Sequence, residues 1–143
     1  MERSKIKSIL AKCFKKLDFP RPAPGQSDWE KLGARFDYSW PRDFVTFIEL
    51  CSEYNVDWQF LAVIRHTDHD SDTIECVYDN EMRSGQWEEE YIPFHDVGNG
   101  DYYCLKSNDL SDCVYYFDHE IPEYRKSENS FEEWIRRIPE VFA

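Results

Sequence analysis

Residues 91–120 read YIPFHDVGNGDYYCLKSNDLSDCVYYFDHE, and their pattern decides the fold. Gly98 and Gly100 flank Asn99, and Asp101 follows. Glycine and asparagine reach positive φ at low steric cost, so this tetrapeptide suits a sharp turn between strands. Tyr102, Tyr103, Cys104 and Leu105 have the aromatic and apolar character of a strand, as do Val114, Tyr115, Tyr116 and Phe117. The stretch therefore predicts two aromatic strands around a polar loop, entered through a glycine turn.

Upstream, three more strands are expected. Residues 58–65 are an apolar run with little alternation, as in a strand covered on both faces. In residues 73–79, Ile74, Cys76 and Tyr78 alternate with Glu75 and Asp79, the period of a half-buried strand. Residues 87–94 are mixed, and Pro93 places them at an edge or a strand end. Helices bracket the strands. Ile6, Ile9, Leu10, Cys13, Phe14 and Leu17 share one face of a helix over 4–17. Phe19-Pro-Arg-Pro-Ala-Pro-Gly25 breaks it. Ser27 with Glu30 reads as a capping box for a second helix, and Ser130 with Glu133 as one for the last. A third helix begins near Trp40-Pro41, with Phe44, Phe47, Ile48 and Cys51 on one face. The expected architecture is α+β: one domain over residues 1–143, with a mostly antiparallel sheet of about five to six strands. N-terminal helices and a C-terminal helix flank the sheet.

The totals agree with a folded domain. A chain of 143 residues buries roughly 68–70% of its unfolded surface, enough for a core without disulfides. Aromatic residues make up 17% of it, far from the composition of disorder. No apolar run is long enough to span a bilayer and no secretory leader is legible, so a cytoplasmic location is expected. The five cysteines form no CxxC pair and read as reduced thiols buried as small hydrophobes.

Of the net charge of −12, residues 66–123 carry −14, from 16 acidic and two basic side chains. Such a field repels nucleic acid and attracts basic surfaces. The first helix is the counterpole, with Lys5, Lys7, Lys12, Lys15 and Lys16 opposite its apolar face. A basic amphipathic helix can bind a membrane or an acidic groove. A helix packed on its own domain with a solvated lysine face is favoured, and no membrane partner is expected.

Several segments together resemble the SUKH superfamily, also called SMI/KNR-type domains. YSWPRDFVTFIELC is similar to the family's Leu-Pro-x-x-(Tyr/Phe) helix, with Trp40 where leucine is usual. IPFHDVGNGDYYCL is similar to its glycine-flanked strand start, and VYYFDHE and SFEEWI follow in the family's order. The Asn-Gly-Gly that often ends the family's helix is replaced by Ser52-Glu-Tyr-Asn-Val56. The resemblance implies an α+β fold and no catalytic residue set. It also implies a protein-binding role: many small bacterial members are immunity proteins that neutralise a secreted or contact-delivered toxin, often a nuclease or deaminase. Others are regulatory interaction modules, the alternative here.

Candidate chemistry is sparse. His66, Asp68, His69, Asp70 and Asp72 offer nitrogen and oxygen donors, but their spacing matches no metal site, and a solvated loop is the expected identity. His95-Asp96 and Asp118-His119-Glu120 pair imidazole with carboxylate, yet no nucleophile motif accompanies them. Asp118 and His119 are expected to hydrogen-bond a neighbouring loop. No metal or cofactor is expected. The expected partner is a cognate toxin domain with a basic surface, and the candidate contacts are Asp68, Asp70, Asp72, Trp87, Glu88, Glu89, Glu90, Asp109 and Asp112. Carboxylates steer a cationic partner, and an exposed aromatic near them supplies buried area.

Overall fold

In a computed structural model that describes residues 1–56, 60–64 and 73–142, helices α1 (Arg3–Cys13), α2 (Gln26–Phe36), α3 (Arg42–Cys51) and α4 (Ile74–Ser84) precede the sheet. Strands β1 (Tyr91–Asp96), β2 (Tyr102–Lys106), β3 (Val114–Asp118) and β4 (Glu123–Glu128) form an antiparallel meander in the order β1-β2-β3-β4. Short helices α5 (Phe131–Arg136) and α6 (Ile138–Phe142) close the chain. The α+β class holds, with four strands among the described residues rather than five or six.

Two differences account for the count. Residues 73–79 are not a strand but open α4. Thr73 caps it by accepting a hydrogen bond from the Cys76 N–H at 3.2 Å, and Gly85, at φ 82°, ends it. Those local stop and start signals outweigh five residues of alternation, and Ile74 and Val77 bury one face at helical spacing. Within 58–65, the described residues make only isolated bridges, Phe60 to His95 and Ala62 to Thr73. The gained strand, β4, is polar and has no buried residue, with sequence EYRKSE, so hydropathy gives it no signature. It is an edge strand, and Arg125 and Lys126 on it discourage pairing with another chain.

Other features follow the local sequence. Gly98 (φ 104°) and Gly100 (φ 99°) make the β1–β2 turn. Pro93 lies in edge strand β1, where it removes no inter-strand bond that the sheet needs. Ser130 caps α5 by accepting from Glu133 N–H, and the Glu133 carboxylate accepts from Asn129 N–H. At α2 the box shifts by two residues: Asp28 accepts from Gly25 N–H at 2.8 Å, so the helix starts at Gln26 rather than Ser27. Pro41 stands at the cap of α3, just before its first turn. All five cysteines are free thiols.

The core fills both faces of the sheet. On one, Phe44 and Phe47 of α3 meet Phe94, Phe131 and Trp134, all as edge-to-face aromatic contacts. A bulge between Pro93 and His95 lets the consecutive residues Phe94 and His95 both turn inward. On the other face Trp87 packs against Tyr102, Phe117 and Tyr124. No helix among the described residues is long and apolar enough to cross a membrane.

Candidate functional site

The register Tyr91↔Lys106 brings the start of β1 beside the end of β2, so residues 88–90 and the β2–β3 loop share one end of the sheet. The backbone there is fixed at each step. Glu88 N–H donates to the Tyr124 hydroxyl at 3.0 Å, the Tyr78 hydroxyl to Glu89 C=O at 2.9 Å, and Ser107 N–H to Glu90 C=O at 2.7 Å. Tyr124 is held in turn by parallel stacking on Tyr91, with ring centroids 3.7 Å apart. Glu88, Glu89 and Glu90 thus project from a rigid support, with Glu88 and Glu89 exposed and Glu90 half-buried.

Lys106 is a cation beside this rim. Lys106 Nζ sits 5.5 Å from the Tyr91 ring centroid and 5.8 Å from that of Tyr115. Partial loss of water, then the charge of Glu90, raises the Glu88 carboxyl, and Lys106 opposes the shift. Carboxylates that repel one another across a surface gain when a cationic partner arrives.

Not every expected contact faces outward. Trp87 is only 6% exposed, and its indole N–H donates to Tyr91 C=O at 2.9 Å. It is a core residue beneath the rim and supplies no exposed ring. Asp109 is an internal pin: its Oδ2 accepts from the Tyr115 hydroxyl at 2.7 Å and its Oδ1 from Ser111 N–H and Oγ–H. The Tyr115 bond, then those from Ser111, hold the Asp109 carboxyl below its ordinary range. Asp112 Oδ2 accepts from Phe131 N–H at the start of α5. Between these pins Leu110 stands fully exposed, a residue that the pattern of charges could not single out. Asp68, Asp70 and Asp72 lie outside the described residues, as do His66 and His69.

At the opposite end of the sheet, Asp101 joins the two hairpin turns. It is 7% exposed, and it accepts from the Tyr116 hydroxyl at 2.6 Å and from His119 N–H at 2.9 Å, with His119 Nδ1 2.6 Å from its Oδ1. Burial pushes its pKa up, but these bonds outweigh burial and hold it at about 2. The same contact with Asp101 raises His119. The His119 ring lies over Gly100, where an added Cβ would come within 2.9 Å of it. The expected bond from the His119 region to a neighbouring loop is this one. Asp101, Asp118 and His119 bring one donor atom each within 4.8 Å of one another. Both Asp101 oxygens already accept bonds, and Asp118 Oδ1 accepts from Glu120 N–H, so the group serves as a clasp between turns.

The other imidazole–carboxylate pair is divided by the sheet. His95 is buried against Phe60, Tyr103 and Trp134, while Asp96 accepts from Gly98 N–H in the turn. Burial lowers the His95 pKa to about 4.

The family model described as "SMI1-KNR4 cell-wall", a SUKH-type model, matches residues 6–140. A solved structure from Pseudomonas syringae pv. tomato has a similar fold. It shares 16% sequence identity, the alignment covers 97% of each chain, and the TM-score is 0.64. No curated protein matches.

Proposed function

This chain belongs to the SMI1-KNR4 (SUKH) family, and from that premise we propose that it is a non-catalytic immunity protein. It binds a cognate polymorphic or contact-delivered toxin, a nuclease or deaminase with a basic surface, and neutralises it in the cytoplasm. The observation that supports this most is the acidic rim: Glu88, Glu89 and Glu90 on a backbone held at three successive residues. A toxin that grips phosphate carries lysine and arginine in its groove. A preorganised carboxylate surface engages such a groove with little ordering cost.

The decisive experiment is co-expression with the protein encoded immediately upstream, scored by survival and by co-purification. Rescue with a one-to-one complex supports immunity by binding. Absence of both toxicity and complex removes the toxin partner and leaves a regulatory interaction module as the reading.

Within such a complex, replacing Glu88, Glu89 and Glu90 together by lysine is expected to lower the association rate by about 10-fold or more at low salt. The salt dependence of association weakens as well. The fold is retained, because the rim is tied down through backbone groups and not through these carboxylates. Stopped-flow association at two ionic strengths reads both effects; unchanged rates place the contact elsewhere.

A further inference from the structure

Among the described residues, the largest apolar side chain left in solvent lies between α1 and α2. Phe19 is 88% exposed. It sits at the tip of a segment fastened on both sides to the end of α3. Asn55 N–H donates to Lys15 C=O, Leu17 N–H to Glu53 C=O and Arg21 N–H to Ser52 C=O, all at 2.8–2.9 Å. Lys16 forms a bridge with Tyr54. Pro20 and Pro22 stiffen the run further. The ring is therefore held out by a fixed backbone and is not the end of a frayed one.

Its surroundings are cationic. Lys5, Lys12, Lys15 and Lys16 are exposed, and none makes an ion pair among the described residues. Lys5 and Lys12 are seven residues apart on α1, and Lys15 and Lys16 follow in the extended segment after it. Arg3 and Lys7 already engage Glu53, which leaves Asp18 as the exposed acid beside Phe19. The strongly acidic rim is built from the 88–90 turn and the β2–β3 loop, whereas α1 packs on α3, α5 and α6.

From this placement we infer that the α1 lysine face and the Phe19 tip form a peripheral docking surface for an anionic lipid bilayer. The lysines supply attraction to a negative headgroup layer, each a compact point charge that needs no bidentate partner. Phe19 supplies the apolar wedge that enters the interface. An exposed aromatic tip with flexible cations nearby in the chain matches a soft planar partner rather than a ligand that must be enclosed. Sequence alone favours a solvated lysine face; the fastened, outward Phe19 is what the structure adds.

The test is co-sedimentation of the intact chain with vesicles of equimolar phosphatidylglycerol and phosphatidylcholine, against phosphatidylcholine alone. Binding to the anionic vesicles only, lost at high salt, is expected. Reversing Lys12, Lys15 and Lys16 to glutamate should reduce partitioning by at least about fivefold for each lysine removed. Phe19→Ala should reduce it several-fold while leaving the far-UV spectrum and melting curve unchanged, since the ring is in solvent. Leu110→Ser, in the β2–β3 loop, should change nothing. No binding of the wild-type chain to anionic vesicles overturns the inference, and so does binding indifferent to Phe19→Ala and the lysine reversals. Binding to a soluble polyanion such as heparin without vesicle binding overturns it too and assigns the face to a polyanionic macromolecule.

Discussion

Phe44→Ala should destabilise the protein by about 3–5 kcal/mol. Phe44 has no solvent exposure. It stacks on Trp40 at 5.5 Å and meets Trp29, Phe94 and Phe131 edge-on at 6.0, 5.6 and 5.1 Å. It thus joins α2, α3, β1 and α5 through one ring. Removing it leaves a cavity whose walls are large rings, and these are too stiff to collapse into the space. Natural domains are stable by about 5–15 kcal/mol in total, so the loss consumes a large share of the margin. Denaturant titration of Phe44→Ala against wild type checks this, with Phe19→Ala as the matched control. The same chemical change at Phe19 should cost under about 0.5 kcal/mol. A Phe44→Ala loss below about 1 kcal/mol would mean that the ring does not bind these elements together.

Acid should destabilise the fold in two stages, each with a separate source. His95 is 3% exposed and its folded pKa lies at about 4, below the free imidazole's 6.5. A group depressed in the folded state stabilises above its unfolded pKa and loses that contribution as pH falls toward the folded value. The His95 window therefore runs from about 6.5 down to about 4, with a total on the order of 3 kcal/mol by the conversion of pKa shift to free energy. Asp101, at about 2 against an ordinary 3.8, obeys the same sign over a lower window, from 3.8 to about 2. His119 acts in the opposite sense. Its pKa is raised by Asp101, so its contribution is present below 6.5 and declines as pH rises through the raised value. Urea midpoints measured across pH should fall between neutrality and about pH 4. In His95→Leu that upper stage should flatten, whereas Asp101→Asn should lose the lower stage. Asp101→Asn should also cost about 1–3 kcal/mol near neutrality, because the Tyr116 and His119 donors lose a charged acceptor. A His95→Leu variant with the wild-type pH slope would remove His95 as the source.

The two hairpin strands, the glycine turn and the last helix were legible because each is written locally. Gly98 and Gly100 accept positive φ at low steric cost, and the Ser130 hydroxyl meets the Glu133 N–H three residues on. The α4 segment was legible in principle too. Thr73 and Gly85 bracket it, and Ile74 and Val77 have helical spacing, but the Ile74-Cys76-Tyr78 alternation suggested a strand. β4 was illegible. Glu123–Glu128 has no apolar face, and it becomes a strand because β3 offers it a partner, with Phe117 opposite Tyr124.

The candidate interface divides the same way. The acidity of residues 66–123 and the Glu88–Glu90 run belong to the sequence and set the sign of the field at that end of the sheet. Sequence also determined the α+β class, the family and the positions of the turns, since periodicity, caps and glycine φ preferences act over a few residues. Tertiary structure alone decided which side chains face the solvent. It put Trp87 inside, turned Asp109 to Tyr115 and Asp112 to α5, and left Leu110 and Phe19 outside while enclosing Phe44. Burial depends on which distant segments meet. That follows from the strand register and from helix packing across the sheet, neither of which any short stretch of this chain contains.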